Sequence, residues 1–190
     1  IDYHASSNLE TVGNTQLSTS VKKNGTSSIY FDGVGGYLGS PSTDARMYGD
    51  FTVECWLYKL SAGTDAGYTN IFAMGNEASG RIALLLQNNT LMYGTYGSGN
   101  ESLGGNVPYT TWTHVAFVRV GSTVTGYVNG VATGTTLTKA GTLGNSAGFY
   151  IGALAGGTGA PLPGYIDDLR ITRYARYTGT FTPPGTPILN

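Results

Sequence analysis

Two adjacent carboxylates, Asp167 and Asp168, lie in the stretch Gly164-Tyr-Ile-Asp-Asp-Leu-Arg-Ile171 of this 190-residue chain. Period-2 alternation places Tyr165, Asp167, Leu169 and Ile171 on one strand face, which draws Asp167 towards apolar neighbours. Asp168 and Arg170 then share the opposite face. A buried carboxylate must be hydrogen-bonded, ion-paired or bound to a cation. Two roles follow for Asp167. It pins backbone amides or an arginine, the favoured role, or it ligates calcium, which takes carboxylate, carbonyl and Asn oxygens. Asp32, ending a strand beside a glycine stretch, is the second candidate calcium ligand.

Other chemistry finds little material. His4 and His114 are the two histidines, and Cys55 is the one cysteine. That set excludes a zinc site and an internal disulfide. His114 stands in an apolar stretch, where a packed, hydrogen-bonded structural role is expected rather than general-base catalysis. Glycosidases use two carboxylates roughly 5–9 Å apart. Glu54 is followed two residues on by Trp56 rather than by an acid, and Asp167 and Asp168 alternate. No Gly-x-Ser-x-Gly elbow occurs. The expectation is a chain that is not an enzyme.

Aromatic and amide side chains are the richer resource, with 14 tyrosines and 2 tryptophans. Sugars stack their apolar faces on such rings and hydrogen-bond to Asn, Asp and Glu. Trp56 and Tyr58, on the non-core face of their strand, form a candidate platform. Tyr96, Asn100 and Glu101, in the glycine-rich stretch from Gly94 to Gly105, form a candidate rim. An alternative for Trp56 is burial beneath a neighbouring subunit or a long loop, since large exposed aromatics mark interfaces.

Charged residues make up 11% of the chain and the net charge is −1. Nucleic-acid binding, which calls for a basic stripe, is therefore not expected. Arg170, Arg173 and Arg176 are the one local cluster and are expected to be a solvated strand end. No run of about 18 apolar residues is present to insert into a membrane. The chain opens on Ile1, as a processed protein or a piece of a longer one would. Three Asn-x-Ser/Thr sequons, at Asn24, Asn88 and Asn100, are expected by chance in so Asn- and Thr-rich a sequence.

The elements that must position these residues are strands. Thirty glycines and an abundance of Thr, Ser and Tyr suit strands and tight turns rather than exposed helices. Alternating segments run over Ser28 to Asp32, Phe51 to Tyr58, Ile71 to Met74, Arg81 to Gln87 and Thr90 to Tyr96. Further segments run over Trp112 to Val120, Val124 to Val128, Val131 to Leu137, Phe149 to Ala153 and Tyr165 to Thr172. Trp112 to Val120 is apolar on both faces and is expected to be a central, doubly covered strand. Asn129-Gly130 is a strong hairpin signal. Gly156 to Gly164 is expected to be a loop, and a turn near Thr43 to Met47 is the sole helix candidate. The expectation is one all-β domain over residues 1–190, with its core at about 12–184, built as an antiparallel two-sheet jelly-roll sandwich.

Four stretches in order resemble the laminin-G-like domains of the concanavalin A-like lectin/glucanase superfamily. They are Gly25-Thr-Ser-Ser-Ile-Tyr-Phe-Asp-Gly33 with Tyr37-Leu38, Phe51-Thr-Val-Glu-Cys-Trp56, Trp112-Thr-His-Val-Ala116 continuing to Tyr127-Val-Asn-Gly130, and Gly164 to Ile171. The resemblance implies two curved antiparallel sheets, binding of glycans, proteins or lipid-linked ligands, and calcium in some members. The Glu-x-Asp-x-x-Glu signature of the superfamily's glucanases is absent. The opening Thr11 to Ser20 with Lys22-Lys23, and the closing Arg173 to Pro184, resemble versions found in structural proteins of tailed bacteriophages. That narrower resemblance implies a tail fibre, appendage or capsid decoration on the virion surface. Its expected partner is host-surface carbohydrate, bound through copies that are multivalent or oligomeric on a particle. The alternative is a structural, cementing protein that contacts only other virion proteins.

Overall fold

The structure is a computed structural model, and it describes residues 9–40, 47–75, 81–95, 99–140, 148–154 and 159–188. Fourteen strands form among them, and all pairings are antiparallel apart from one isolated bridge between Lys59 and Tyr109. The first layer holds β1 (Glu10–Val12), β4 (Tyr37–Ser40), β13 (Phe149–Ile151), β6 (Tyr68–Met74), β7 (Ile82–Gln87) and β8 (Thr90–Thr95), side by side in that order. The second holds β12 (Val131–Thr138), β11 (Thr123–Val128), β10 (Thr113–Val120), β5 (Phe51–Lys59), β14 (Pro163–Thr172), β3 (Ser28–Asp32) and β2 (Gln16–Ser18). Strand β9 (Gly99–Gly104) pairs with β8 and, through Gly104 opposite Gly134, with β12, so it joins the layers.

The expected sandwich is present, because alternation along each strand supplies one apolar face per layer. Phe51, Val53, Cys55 and Leu57 of β5 and Val115 and Phe117 of β10 face Phe72, Ile82, Leu84 and Tyr93 across a single buried cluster. Burial pushes the Cys55 thiol upward, and Glu54 and Asp167 nearby act in the same direction. It is an inert core residue. The β11–β12 hairpin turns at Asn129 (φ 49°) and Gly130 (φ 79°), the two positive values that a type I′ turn requires. Gly130 has a second reason to be glycine: a Cβ there would lie 1.9 Å from the Phe181 carbonyl oxygen.

Several expectations are corrected. The stretch from Gly94 to Gly105 is largely strand β9, not a rim loop, because its backbone pairs with β8 from Gly99 onward. Strands β1, β2 and β4, of three, three and four residues, are too short to stand out by alternation. Tyr96 and most of the turn near Thr43 lie outside the described residues.

The largest correction concerns β14. A bulge between Asp167 and Arg170, with Asp168 at φ 50°, inserts a residue and shifts the alternation. Ile166, Leu169 and Ile171 therefore contact the core, whereas Asp167 pairs opposite Trp56 on the outer face.

Lys59 closes the inward row of β5 and is 0% exposed. Its ammonium donates to the Asn88 carbonyl oxygen and lies 4.7 Å from the centre of the Tyr109 ring. Desolvation lowers its pKa from 10.5 to about 8. An amine that releases its proton more readily when folded makes stability rise with pH between the folded and unfolded values. Thermal denaturation followed from pH 8 towards 10 should show that rise in the wild type and not in Lys59→Met. Parallel curves for the two proteins would contradict it.

Candidate functional site

The outer face of the second layer is laid out along β5, whose outward residues are Thr52, Glu54, Trp56 and Tyr58. Residues 173–188, after β14, have no regular secondary structure and cross this face as a strap. Thr52 Oγ1 donates to the Tyr174 carbonyl at 3.0 Å and accepts from the Arg176 amide at 2.9 Å. Tyr177 and Phe181 stack with ring centres 3.5 Å apart. Beneath them lie Ala116, Val118 and Tyr127. The outer face of β10 is thus covered, as its two-sided apolar pattern requires. The Phe181 amide donates to the Gly130 carbonyl at 3.0 Å, and the Ile188 amide to Asp168 Oδ1 at 3.2 Å.

Glu54 is the electrostatic centre of this arrangement and is 1% exposed. Arg170 approaches Oε1 with Nε at 2.8 Å and Nη2 at 2.6 Å. The Tyr177 hydroxyl donates to Oε2 at 2.8 Å, His114 Nε2 lies 3.3 Å from the same oxygen, and Arg176 Nε is 3.8 Å from Oε1. Desolvation alone would raise the Glu54 pKa. His114, Tyr177 and Arg170 together reverse that and hold it below the ordinary 4.5. Tyr177 is pushed up to about 12, first by desolvation and then by its bond to Glu54. Two members of the arginine cluster are therefore ion-pair partners rather than a solvated strand end, and Arg173 alone is exposed. Both Glu54 oxygens are enclosed by protein groups, so it has no path to a substrate.

Trp56 is 8% exposed, which corrects its expectation as an open platform. Its Nε1 donates to the Pro184 carbonyl at 3.0 Å, its ring meets His114 edge-on, and the Lys23 ammonium sits 4.1 Å from its centre. The covering group is the chain's own strap. Asp167 spends Oδ2 on the Lys23 and Asn24 amides, at 2.8 and 3.0 Å, and Oδ1 on the Asp168 amide at 2.9 Å. Asp32 Oδ1 accepts from the Val34 and Gly36 amides, and these bonds, that to Val34 first, lower its pKa against the opposing effect of desolvation. Both carboxylates pin loops. Among the described residues no three His, Cys, Asp or Glu side chains gather as a metal site.

Beyond the strap, the outer face opens. Cross-strand register sets Gln16 opposite Tyr30, Tyr30 opposite Tyr165, and Tyr165 opposite Tyr58. Trp112, just before β10, continues the rank. Ring centres are 5.1 Å apart for Tyr30–Tyr165, 5.9 Å for Tyr165–Tyr58 and 5.4 Å for Tyr58–Trp112, close to the spacing of neighbouring strands. All four rings are half-buried. At one end Tyr30 and Tyr165, with Gln16, Ser18, Ser20 and Leu60, line a cleft of about 430 Å³. Leu17 and Leu60 stand exposed at its mouth.

Of the sequence-predicted residues, only Tyr58 belongs to this rank. Asn100 and Glu101 lie on β9, with β12, β11 and β10 between them and β5, and Glu101 is ion-paired with Lys139. Tyr30, Tyr165 and Trp112 were missed. Their signal was parity: Tyr30 and Tyr165 occupy non-core positions of β3 and β14, and Trp112 continues the outward parity of β10 one residue before it, at the end where Tyr58 emerges.

The fold is similar to those of several known proteins. Domain 4 of AbnA, a GH43 extracellular arabinanase from Geobacillus stearothermophilus, solved with arabinotriose, is similar at TM-score 0.67 and 22% identity, over 92% of this chain and 80% of that one. The botulinum neurotoxin DC binding domain, solved with SialylT, is similar at TM-score 0.65 and 14% identity, over 89% of this chain. This chain spans only 43% of that domain's length. The heptameric SAP-like pentraxin of Limulus polyphemus gives TM-score 0.59 and 20% identity, over 80% of this chain and 77% of that one. These likenesses show a shared fold. A comparison with curated protein sequences returns no match.

The Glu54 cluster generates a stability prediction. A carboxylate whose folded pKa is depressed contributes stability that is complete above its unfolded value and is lost as pH falls through the folded one. Wild-type melting temperature should fall below about pH 4.5 through this group, and Glu54→Gln should weaken that dependence. At neutral pH, Glu54→Ala should cost about 3–5 kcal/mol, because it strands Arg170 beside a buried gap. A loss under 1 kcal/mol by denaturant titration would contradict the role assigned to it.

The family model described as the concanavalin A-like lectin/glucanases superfamily, Laminin_G_3, matches residues 32–178, and the chain belongs to that family.

Proposed function

We propose that this chain is a non-catalytic module that binds carbohydrate through the rank Trp112–Tyr58–Tyr165–Tyr30 and the cleft beside it. The observation that carries the reading is the rank itself. Four half-exposed rings from neighbouring strands are lined up where the strap leaves the sheet open, with Gln16, Ser18 and Ser20 alongside as hydrogen-bonding groups. Aromatic surface with a few convergent polar groups is what a sugar's apolar face and ring of hydroxyls require. The saccharide-bound arabinanase domain of the same fold supports the reading. Enclosure of Glu54, and the loop-pinning roles of Asp167 and Asp32, argue against hydrolysis by any of the three.

The narrower part of the proposal is a setting: the surface of a bacteriophage particle, with host-surface glycan as the ligand. Its support is the resemblance of the opening and closing segments to phage structural proteins. One of those segments supplies the cleft wall on β2 and the other supplies the strap. Many copies on a particle would let weak single-site binding suffice.

A glycan-array screen of the purified domain tests the first part. A saturable hit is expected, weakened about tenfold or more by Tyr165→Ala or Trp112→Ala, since truncating a central aromatic contact commonly costs over 1 kcal/mol. Thr135→Ala, on strand β12, should leave binding unchanged. A blank array with a demonstrably folded domain would sink the reading and favour a module that contacts only other virion proteins.

A further inference from the structure

The opposite side of the sandwich carries a second aromatic cleft that the rank does not reach. On the first layer, Leu38 of β4 and Phe149 and Ile151 of β13 turn inward to the core. Tyr37, Gly39 and Tyr150 therefore face outward. The Tyr37 and Tyr150 rings have centres 5.8 Å apart at an interplanar angle of 59°, and both are half-buried. Gly39 lies between them: a Cβ there would come 3.1 Å from Tyr37 Cε2 and 3.7 Å from Tyr150 Cδ1. Any larger residue would narrow the space between the rings. Strand β1 brings Glu10 directly opposite Gly39 and Val12 opposite Tyr37. Glu10, Val12, Tyr37, Gly39, Ser40 and Tyr150 together line a cleft of about 320 Å³.

The chemistry of the lining selects a ligand. Glu10 is exposed and makes no hydrogen bond or ion pair among the described residues, so its carboxylate is available as a double acceptor. Two adjacent hydroxyls of a saccharide match that acceptor pair, while the tilted rings supply apolar surface for the C–H face of the sugar. A carboxylate at the lip also repels an acidic sugar. The cleft beside Tyr30 and Tyr165 has no carboxylate in its lining, and the carbonyl of Thr19, one of its lining residues, accepts from the Lys22 ammonium at 2.8 Å.

We propose that the Tyr37–Tyr150 cleft is a second saccharide site, for neutral sugars with vicinal hydroxyls, on the side of the sandwich opposite the aromatic rank. The proposal rests on the carbohydrate-binding reading of the module but on a separate set of residues. Two sites on opposite faces cannot engage one short oligosaccharide together. They can bridge two glycan chains, so a single copy of the domain acts as a cross-linker.

Amide chemical-shift mapping of the ¹⁵N-labelled chain tests this, with arabinotriose, xylotriose and cellotriose as neutral probes and sialyllactose as the acidic one. Saturable shifts at Tyr37, Gly39 and Tyr150 are expected with a neutral probe and not with sialyllactose. Glu10→Gln, at an exposed edge position that cannot unfold the sandwich, should weaken them about tenfold, and Tyr150→Ala should abolish them. Tyr165→Ala should leave them intact. Shifts confined to Tyr30, Leu60 and Tyr165 would overturn the second site while leaving the proposed function standing. Shifts at neither cleft would overturn both, and second-cleft shifts indifferent to Glu10→Gln and Tyr150→Ala would overturn this site alone.

Discussion

A carboxylate cannot sit under an apolar cover without compensation, and Glu54 places one in the middle of the outer face of β5. Arg170 comes from the neighbouring strand β14, Tyr177 and Arg176 from the strap, and His114 from β10. These four residues are drawn from three places in the chain, and together they bind the last part of the sequence to the sheet. Lifting the strap would remove Tyr177 and Arg176 from the carboxylate together. It would also bare Ala116, Val118, Tyr127 and Trp56. Apolar burial and charge pairing thus favour the same closed arrangement, as a consistent sequence should. Gly130 completes the contact, since only a residue without a side chain lets the hairpin tip approach the Phe181 carbonyl.

Closure of that face determines where a ligand can bind. Going along β5, Thr52, Glu54 and Trp56 are claimed in turn by Tyr174, by the ion-pair cluster and by Pro184. Tyr58 is the first outward residue that the strap does not reach. Loop 21–24, held against β14 by the two amide bonds to Asp167, limits the same surface from the β2 side. The rings between these boundaries are held by each other and by strand register.

Much of this was legible in the alternation of residue types. Inward Phe51, Val53, Cys55 and Leu57, the Asn129-Gly130 turn and the two-sided burial of β10 each follow from a period of two and the positive φ of a tight turn. The site was less legible, for three physical reasons. Alternation carries no warning of a bulge, so it puts Asp167 on the core face with Leu169 and Ile171, when the extra residue at Asp168 sets them on opposite faces. Residues 173–188 have no periodicity at all, and nothing local announces that such a segment covers Trp56. Glu54 and its partners Arg170 and Tyr177 are separated by more than a hundred residues. The usable hint was a lone Glu amid apolar residues on a central strand, which calls for a cation that a low-charge chain can supply from few places.

Glu101 shows the same limit from the other side. In sequence it belongs to a glycine-rich stretch that resembles a flexible rim, yet glycine was serving strand pairing and a positive φ at Gly99 and Gly104. Its carboxylate is consumed by Lys139, the residue after β12. Spent and unspent polar groups are therefore the useful distinction in a fold so poor in charge. Glu54, Asp32, Asp167 and Glu101 are all engaged in holding strands, loops or strap together. Glu10 stands among the described carboxylates with its oxygens unclaimed, beside an aromatic pair. The rigid scaffold that the engaged carboxylates create is what lets a few exposed rings present fixed faces, and a surface ordered before binding loses less entropy when a ligand arrives.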